Sequence, residues 1–314
     1  MRPLTATAVV LLLTACGTST ATPETPAAPT PAPTVVETAT PDVEPRAELR
    51  LGGQDCDEQR TTDQLDDGVT WTLIDRACDD DGPWIIHHVH IAPDQLHRVA
   101  NVLAGGELDG TLSVPDIAAQ EDALVAVNGG YLLLPDGPTR GVTMVDGELL
   151  VGQGMSPKEG RVWVEYTTSL LLHDDGTPQI TQVTADADYG YVRTRDGHVP
   201  DTVVGVVNGG PGLVEDGYRH VRQLEEGFGH WAADRAPRTV AGIDPDGGLM
   251  LVLIEGRHDD SVGASIPETA DVMVDLGAVD ATNLDGGYSS ALAIDGEKVT
   301  TTKSRPVADA IVVR

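Results

Sequence analysis

From residue 69 onward, short runs of β-branched and other apolar residues are separated by Gly, Asp and Pro, the spacing of strands joined by tight turns. The predicted strands are Val69–Ile74, Trp84–Ile91, Leu124–Val127, Val162–Tyr166, Val203–Val207, Thr239–Ile243, Leu249–Ile254, Ala281–Leu284, Ala291–Ile294 and Ala310–Val313. Two segments read as helix, a short one over Val114–Glu121 and a better marked one over Ile266–Leu276. In the second, Ser265 and Glu268 are spaced as a capping box, Pro267 falls in the first turn, and Gly277 stands where the helix must stop. The pattern predicts an α+β fold: a mixed, sheet-dominated single domain with few helices. The helix 266–276 lies between two strands, and a strand–helix–strand unit of this length joins parallel neighbours. Such neighbours share an end, so Glu255, Gly256 and Arg257 are expected to emerge beside Asn283, Asp285, Gly286 and Gly287, where ligands bind in sheets of this kind.

The first 48 residues follow another rule. Arg2 and the apolar run Ala6–Leu13 predict an export signal over residues 1–15, too short to span a bilayer. The LTAC that closes it resembles the lipobox of bacterial lipoproteins, in which the cysteine, here Cys16, is lipidated and anchors the chain outside the cytoplasm; a secreted protein is the alternative. Residues 16–48, dominated by Pro, Thr and Ala, read as an extended tether, leaving 49–314 as the folded domain. In an exported protein Cys56 and Cys78 are expected to form a disulfide, contributing on the order of 3 kcal/mol through chain entropy. A metal site there lacks further ligands at suitable spacing.

Composition narrows the partners. The chain has 314 residues, 40% of them hydrophobic, enough for a sizeable core, yet aromatics are 4% with Phe228 the single phenylalanine, so the core must be aliphatic. A formal net charge of −30 argues against nucleic acid and anionic membrane surfaces, and any phosphate must be held locally.

The densest chemistry lies in NLDGGYSS, residues 283–290, where Asp285 sits between an amide and two glycines straight after a strand. Glycine grants a ligand access to backbone, and short polar side chains supply contacts. AsnGlyGly recurs after strands at Asn128, Gly129 and Gly130 and again at 208–210; the first is expected to share a pocket with 283–290, the second mainly to shape backbone. Asp285 and Glu255 are the candidate carboxylates, with Asp259 and Asp260 less specific, and like-charge repulsion would raise one pKa if Glu255 and Asp285 met.

Taken in order, AVNGGY (126–131), VVNGGPGLVEDG (206–217), RAPRTVAGID (235–244), LVLIEGR (251–257) and NLDGGYSS resemble the phosphodiester glycosidase family. The resemblance runs from AVNGGY to the C-terminus. It implies a hydrolase that cleaves a sugar 1-phosphodiester such as one of N-acetylglucosamine, with no cofactor required and a sugar phosphate or envelope glycan as partner. It also implies Arg238 and Arg257 as phosphate clamps, bidentate and permanently charged in a chain with only 20 basic residues, and Ser261 and Gly263 as further matching positions. Ser289 and Ser290 would donate to sugar or phosphate, or cap the turn. Three positions depart from the family pattern: Tyr288 replaces a third glycine, Glu255 replaces the Asp of a DGR, and Leu132–Leu134 follow AVNGGY where an aromatic is usual. Tyr288 keeps a second reading open, a noncatalytic lipoprotein that binds envelope glycan. His87, His88 and His90 alternate on one strand without a third ligand, and the acidic run Asp79–Asp81 reads as solvated charge.

Overall fold

The computed structural model describes residues 56–78, 82–132, 139, 141–152, 166–186, 191–195 and 197–314. The predicted export signal, the tether, Cys16, Asp79–Asp81 and all but the last residue of the expected strand 162–166 lie outside the described residues.

Alternation along the strand Leu249–Ile254 sets the architecture. Leu249, Leu251 and Leu253 turn to one face and join Val89, Val127, Leu170, Leu292 and Ile311 in a core to which all three sheets contribute. Met250, Val252 and Ile254 turn to the other and pack beneath the helix Ile266–Asp275 through Ile266, Ala270 and Met273. Burying each such side chain stabilises the fold by roughly 2 kcal/mol, and a strand apolar on both faces belongs in a sheet centre. It lies there: the eight-stranded sheet runs Cys56–Asp66, Val69–Cys78, Trp84–Ile91, Leu249–Ile254, Arg238–Ile243, Asp280–Asn283, Gly212–Glu215, Tyr218–Arg219. A five-stranded sheet built on Val125–Asn128 and Asp309–Val313 carries the helix Val114–Glu121, and a seven-stranded sheet is built on Thr167–His173 and Val203–Val207. The α+β, sheet-dominated class read from the sequence holds.

The strand–helix–strand unit corrects one expectation. Leu249–Ile254 and Asp280–Asn283 run the same way, but Arg238–Ile243 lies between them, antiparallel to both. The reason is a tight turn: Asp244 accepts hydrogen bonds from the amides of Asp246 and Gly248, both at 2.8 Å, which folds 238–254 into a hairpin. Trp84–Ile91 takes the other edge of Leu249–Ile254, so the returning strand can pair only beyond the hairpin. The shared end survives, and the start of Arg238–Ile243 joins it.

Helix 266–275 begins as predicted, with both halves of the Ser265–Glu268 box formed and Gly277 at φ +91° just beyond its end. Ser113 caps the shorter helix through the Asp116 amide. Cys56 and Cys78 are bonded, directly opposite one another at the open end of a hairpin whose first strand, Cys56–Asp66, is too polar to be read as a strand from its pattern.

Candidate active site

Three strand ends meet around Asp285. The Asn128 amide donates to the Asp285 carbonyl at 2.7 Å, while its oxygen accepts from Thr239 Oγ1 at 2.8 Å and from the Ala291 amide at 3.2 Å. Ser290 shares a 3.1 Å hydrogen bond with Thr239, and the Asp285 amide donates to the Gly129 carbonyl. Asn128 and Ser290, expected to touch substrate, are therefore buried fasteners that lock the two Gly-rich turns together. From the third end, the Arg257 guanidinium lies 4.5 Å from the Tyr288 ring centroid and just above Gly287, where an added Cβ would come within 3.3 Å of it.

Asp285 is oriented on both oxygens. Oδ1 accepts from the Gly286 amide at 2.9 Å, and Oδ2 from the Ser289 hydroxyl at 2.5 Å and, more loosely, from Arg305 at 3.4 Å. Arg305 also donates to Ser289 Oγ at 2.9 Å. Burial pushes the Asp285 pKa up to about 6, against the pull of Ser289 and the Arg305 charge. A tenth of its side chain remains open, so it is recessed but not sealed.

A second acid, unforeseen in the sequence, stands behind it. Asp309 begins the last strand, is 1% exposed and accepts from the Gly130 amide at 3.0 Å. Burial drives its pKa up to about 7, countered by the Gly130 bond and reinforced by the Asp285 charge. Gly129 is required here, because a Cβ at that position would fall 2.7 Å from Asp309 Oδ2. The like-charge coupling expected between Asp285 and Glu255 is thus supplied by Asp309.

Glu255 behaves in the opposite way. Its carboxylate accepts from His87 Nε2 at 2.8 Å, His258 Nε2 at 3.2 Å, the amides of Thr301 at 2.9 Å and Thr302 at 2.8 Å, and the Thr301 hydroxyl. Trp71 Nε1 donates to His87 Nδ1, which leaves the His87 proton on Nε2, facing Glu255. Burial works to raise the Glu255 pKa, but the donors led by His87 and Thr301 hold it well below the usual carboxylate range. Glu255 is a permanently ionised anchor, not the group whose pKa is raised. Of the three strand histidines, His87 serves the site, while His90 pairs with Asp244 at 2.6 Å.

The arginines divide. Arg238 is buried and donates to the carbonyls of Ala264 and Asp234, both at 2.8 Å; burial and the neighbouring Arg257 charge lower its pKa. Arg257 is exposed at φ +67°, a conformation uncommon outside glycine, and among the described residues it has no carboxylate partner. Ser261 and Gly263 hold backbone: Ser261 Oγ donates to the Glu255 carbonyl at 2.7 Å, and the Gly263 carbonyl accepts from Trp84 Nε1 at 2.9 Å. Asn283 donates to Tyr131 Oη and the Gly210 carbonyl, yet its Oδ1 is buried without a donor among the described residues, as is Asn208 Oδ1. Asp309 had one signal in the sequence, a charge at the head of the apolar run AIVV; Arg305 and His258 had none. None of the predicted site residues lines a cleft of about 280 Å³ formed by Thr168, Gln182, Arg195, Gly212, Arg222 and Asp280, among others.

Fold and site define a sheet-built α+β domain whose glycine-rich strand ends gather buried carboxylates and arginines at one place. The family model for phosphodiester glycosidases matches residues 121–314, and the chain belongs to that family. Its fold is similar to that of a Burkholderia pseudomallei protein assigned as exported (TM-score 0.66, 18% identity, 86% of this chain and 98% of that one). The catalytic domain of zebrafish N-acetylglucosamine-1-phosphodiester alpha-N-acetylglucosaminidase is also similar (TM-score 0.58, 19% identity, 83% of each chain). So is a hypothetical protein from Synechocystis (TM-score 0.63, 19% identity, 82% of this chain), of whose length the chain spans 64%. Among curated proteins none matches the sequence.

Proposed function

We propose that this protein hydrolyses a sugar 1-phosphodiester, of the kind named for its zebrafish structural neighbour, outside the cytoplasm. The observation that carries the reading is Asp285: a recessed carboxylate with a pKa of about 6, aimed by Gly286 and Ser289 and paired loosely with Arg305, in a turn whose Gly287 and Tyr288 lie under Arg257, an arginine with no carboxylate partner among the described residues. Breaking the bond between the anomeric carbon and the phosphate oxygen builds positive charge on the sugar and sends the electron pair to the phosphate. Mostly ionised at neutral pH, Asp285 would stabilise or attack the anomeric carbon. Arg257 would bind the departing phosphate monoester, whose low basicity removes much of the need for a strong acid. Asp309 acts through the turn it holds, as a positioning residue. Glu255, Thr301 and Thr302 hold the backbone that presents Arg257.

Incubation with N-acetylglucosamine 1-phosphodiesters tests this directly. Wild type should release sugar and Asp285→Asn should not; saturable binding without release from any donor would establish a glycan-binding protein instead. Anchoring through Cys16 belongs to the same proposal. Cys16→Ser should move the protein from the membrane fraction to the medium, and an unchanged distribution would refute the anchor. Among the described residues no helix is long and apolar enough to cross a membrane.

A further inference from the structure

The cleft of about 280 Å³ shares none of its lining with the residues gathered around Asp285. Thr168, Gln182 and Thr194 line it from the seven-stranded sheet, Gly212, Glu215 and Asp280 from the eight-stranded one. A single buried carboxylate fixes three of these residues across the two sheets. Glu226, with none of its surface exposed, accepts from the Thr168 amide at 3.0 Å and hydroxyl at 2.5 Å, from Gln182 Nε2 at 3.2 Å and from the Gly212 amide at 3.4 Å. Gly212 must be glycine for this approach, because a Cβ there would fall 2.8 Å from Thr168 Oγ1. With its nitrogen committed to Glu226, Gln182 turns its oxygen to Arg195 Nε at 2.9 Å. The Arg195 guanidinium also lies 4.7 Å from the Tyr166 ring centroid, and it has no carboxylate partner among the described residues. A guanidinium held through Nε and stacked on a ring offers its terminal nitrogens to a planar, bidentate acceptor.

The other wall has different chemistry. Glu215 pairs with His220 at 2.5 Å and with Arg222 at 2.6 Å, and Asp280 accepts from the Asp216 amide at 3.4 Å. A phosphate monoester in the cleft would meet Glu215 and Asp280 as well as Arg195, and like charges there disfavour a dianion. A ligand with one carboxylate and several hydroxyls satisfies both walls, and the volume is at the low end for small-ligand sites. We propose that this cleft is a second, noncatalytic saccharide site that takes a sugar ring bearing one carboxylate, with Arg195 receiving the carboxylate and Thr181, Glu215 and Asp280 meeting the hydroxyls. The proposal does not depend on the hydrolase reading.

The experiment measures dissociation constants by NMR titration with a disaccharide of glucuronic acid and a neutral hexose, and with its carboxyl-reduced counterpart, which differs only in that one group. Wild type should bind the acidic disaccharide about tenfold more tightly, the scale of one charge-assisted contact. Arg195→Gln should erase the difference and Asp285→Asn should preserve it, with melting temperatures confirming that both variants fold. No saturable binding of the acidic disaccharide, equal binding of the two sugars, or a preference that survives Arg195→Gln overturns the site. Loss of the preference in Asp285→Asn overturns it too, by placing the sugar at the candidate active site. Binding is read without turnover, so failure of the hydrolase reading leaves this result standing, and the reverse also holds.

Discussion

Asp285 and Glu255 leave the same end of one sheet, each at a strand followed by glycine, each buried, and their environments drive them apart. Around Glu255 are two histidines, two backbone amides and a hydroxyl, so ionisation is enforced. Around Asp285 the donors are fewer and Arg305 is at 3.4 Å, so burial prevails and the proton is retained to about pH 6. Burial opposes ionisation in both cases; it prevails at Asp285, and the donors outweigh it at Glu255. A carboxylate saturated by protein donors is a framework group, whereas one left undersupplied is available to a ligand.

The contrast can be broken in three ways, the largest effect first. Asp285→Asn should lower kcat by on the order of 10³-fold with the fold retained, read from sugar release; a loss under tenfold would remove Asp285 from the chemistry. Glu255→Gln should act on stability, costing roughly 3 kcal/mol in urea unfolding, because it leaves His87 and the Thr301–Thr302 amides facing the wrong partner. If instead turnover vanished while the unfolding midpoint stayed put, the two carboxylates would have to exchange roles. The smallest effect concerns pH. Because the folded pKa of Asp285 is raised, the native state binds its proton more tightly than the unfolded chain does, so this group's cost is absent at low pH and grows as pH rises through about 6. Asp285→Asn should therefore gain stability over wild type by about 2 kcal/mol between pH 4 and pH 8, followed as the difference in melting curves. A flat difference would mean that Asp285 is not desolvated.

Much of the scaffold was legible because local rules generate it. The Ser265–Glu268 box, Pro267 and Gly277 act within a single turn, and the alternation in Leu249–Ile254 is a property of any extended chain with one partner on each face. Cys56–Asp66 was missed because an edge strand exposed along its length needs no apolar period. The parallel pairing was misjudged because the choice of neighbour depends on which edges are free, a fact about the whole sheet.

Composition and order of residues by themselves determined the class of fold, the glycine-rich strand ends that carry the chemistry, and membership of a family whose motifs lie in sequence. Tertiary structure alone decided which acid is which. Asp309 reaches the Gly130 turn across 179 positions, and His87 reaches Glu255 across 168. Whether a carboxylate keeps its proton depends on donors and charges within a few ångströms, and in a folded chain those neighbours come from segments that no local pattern connects.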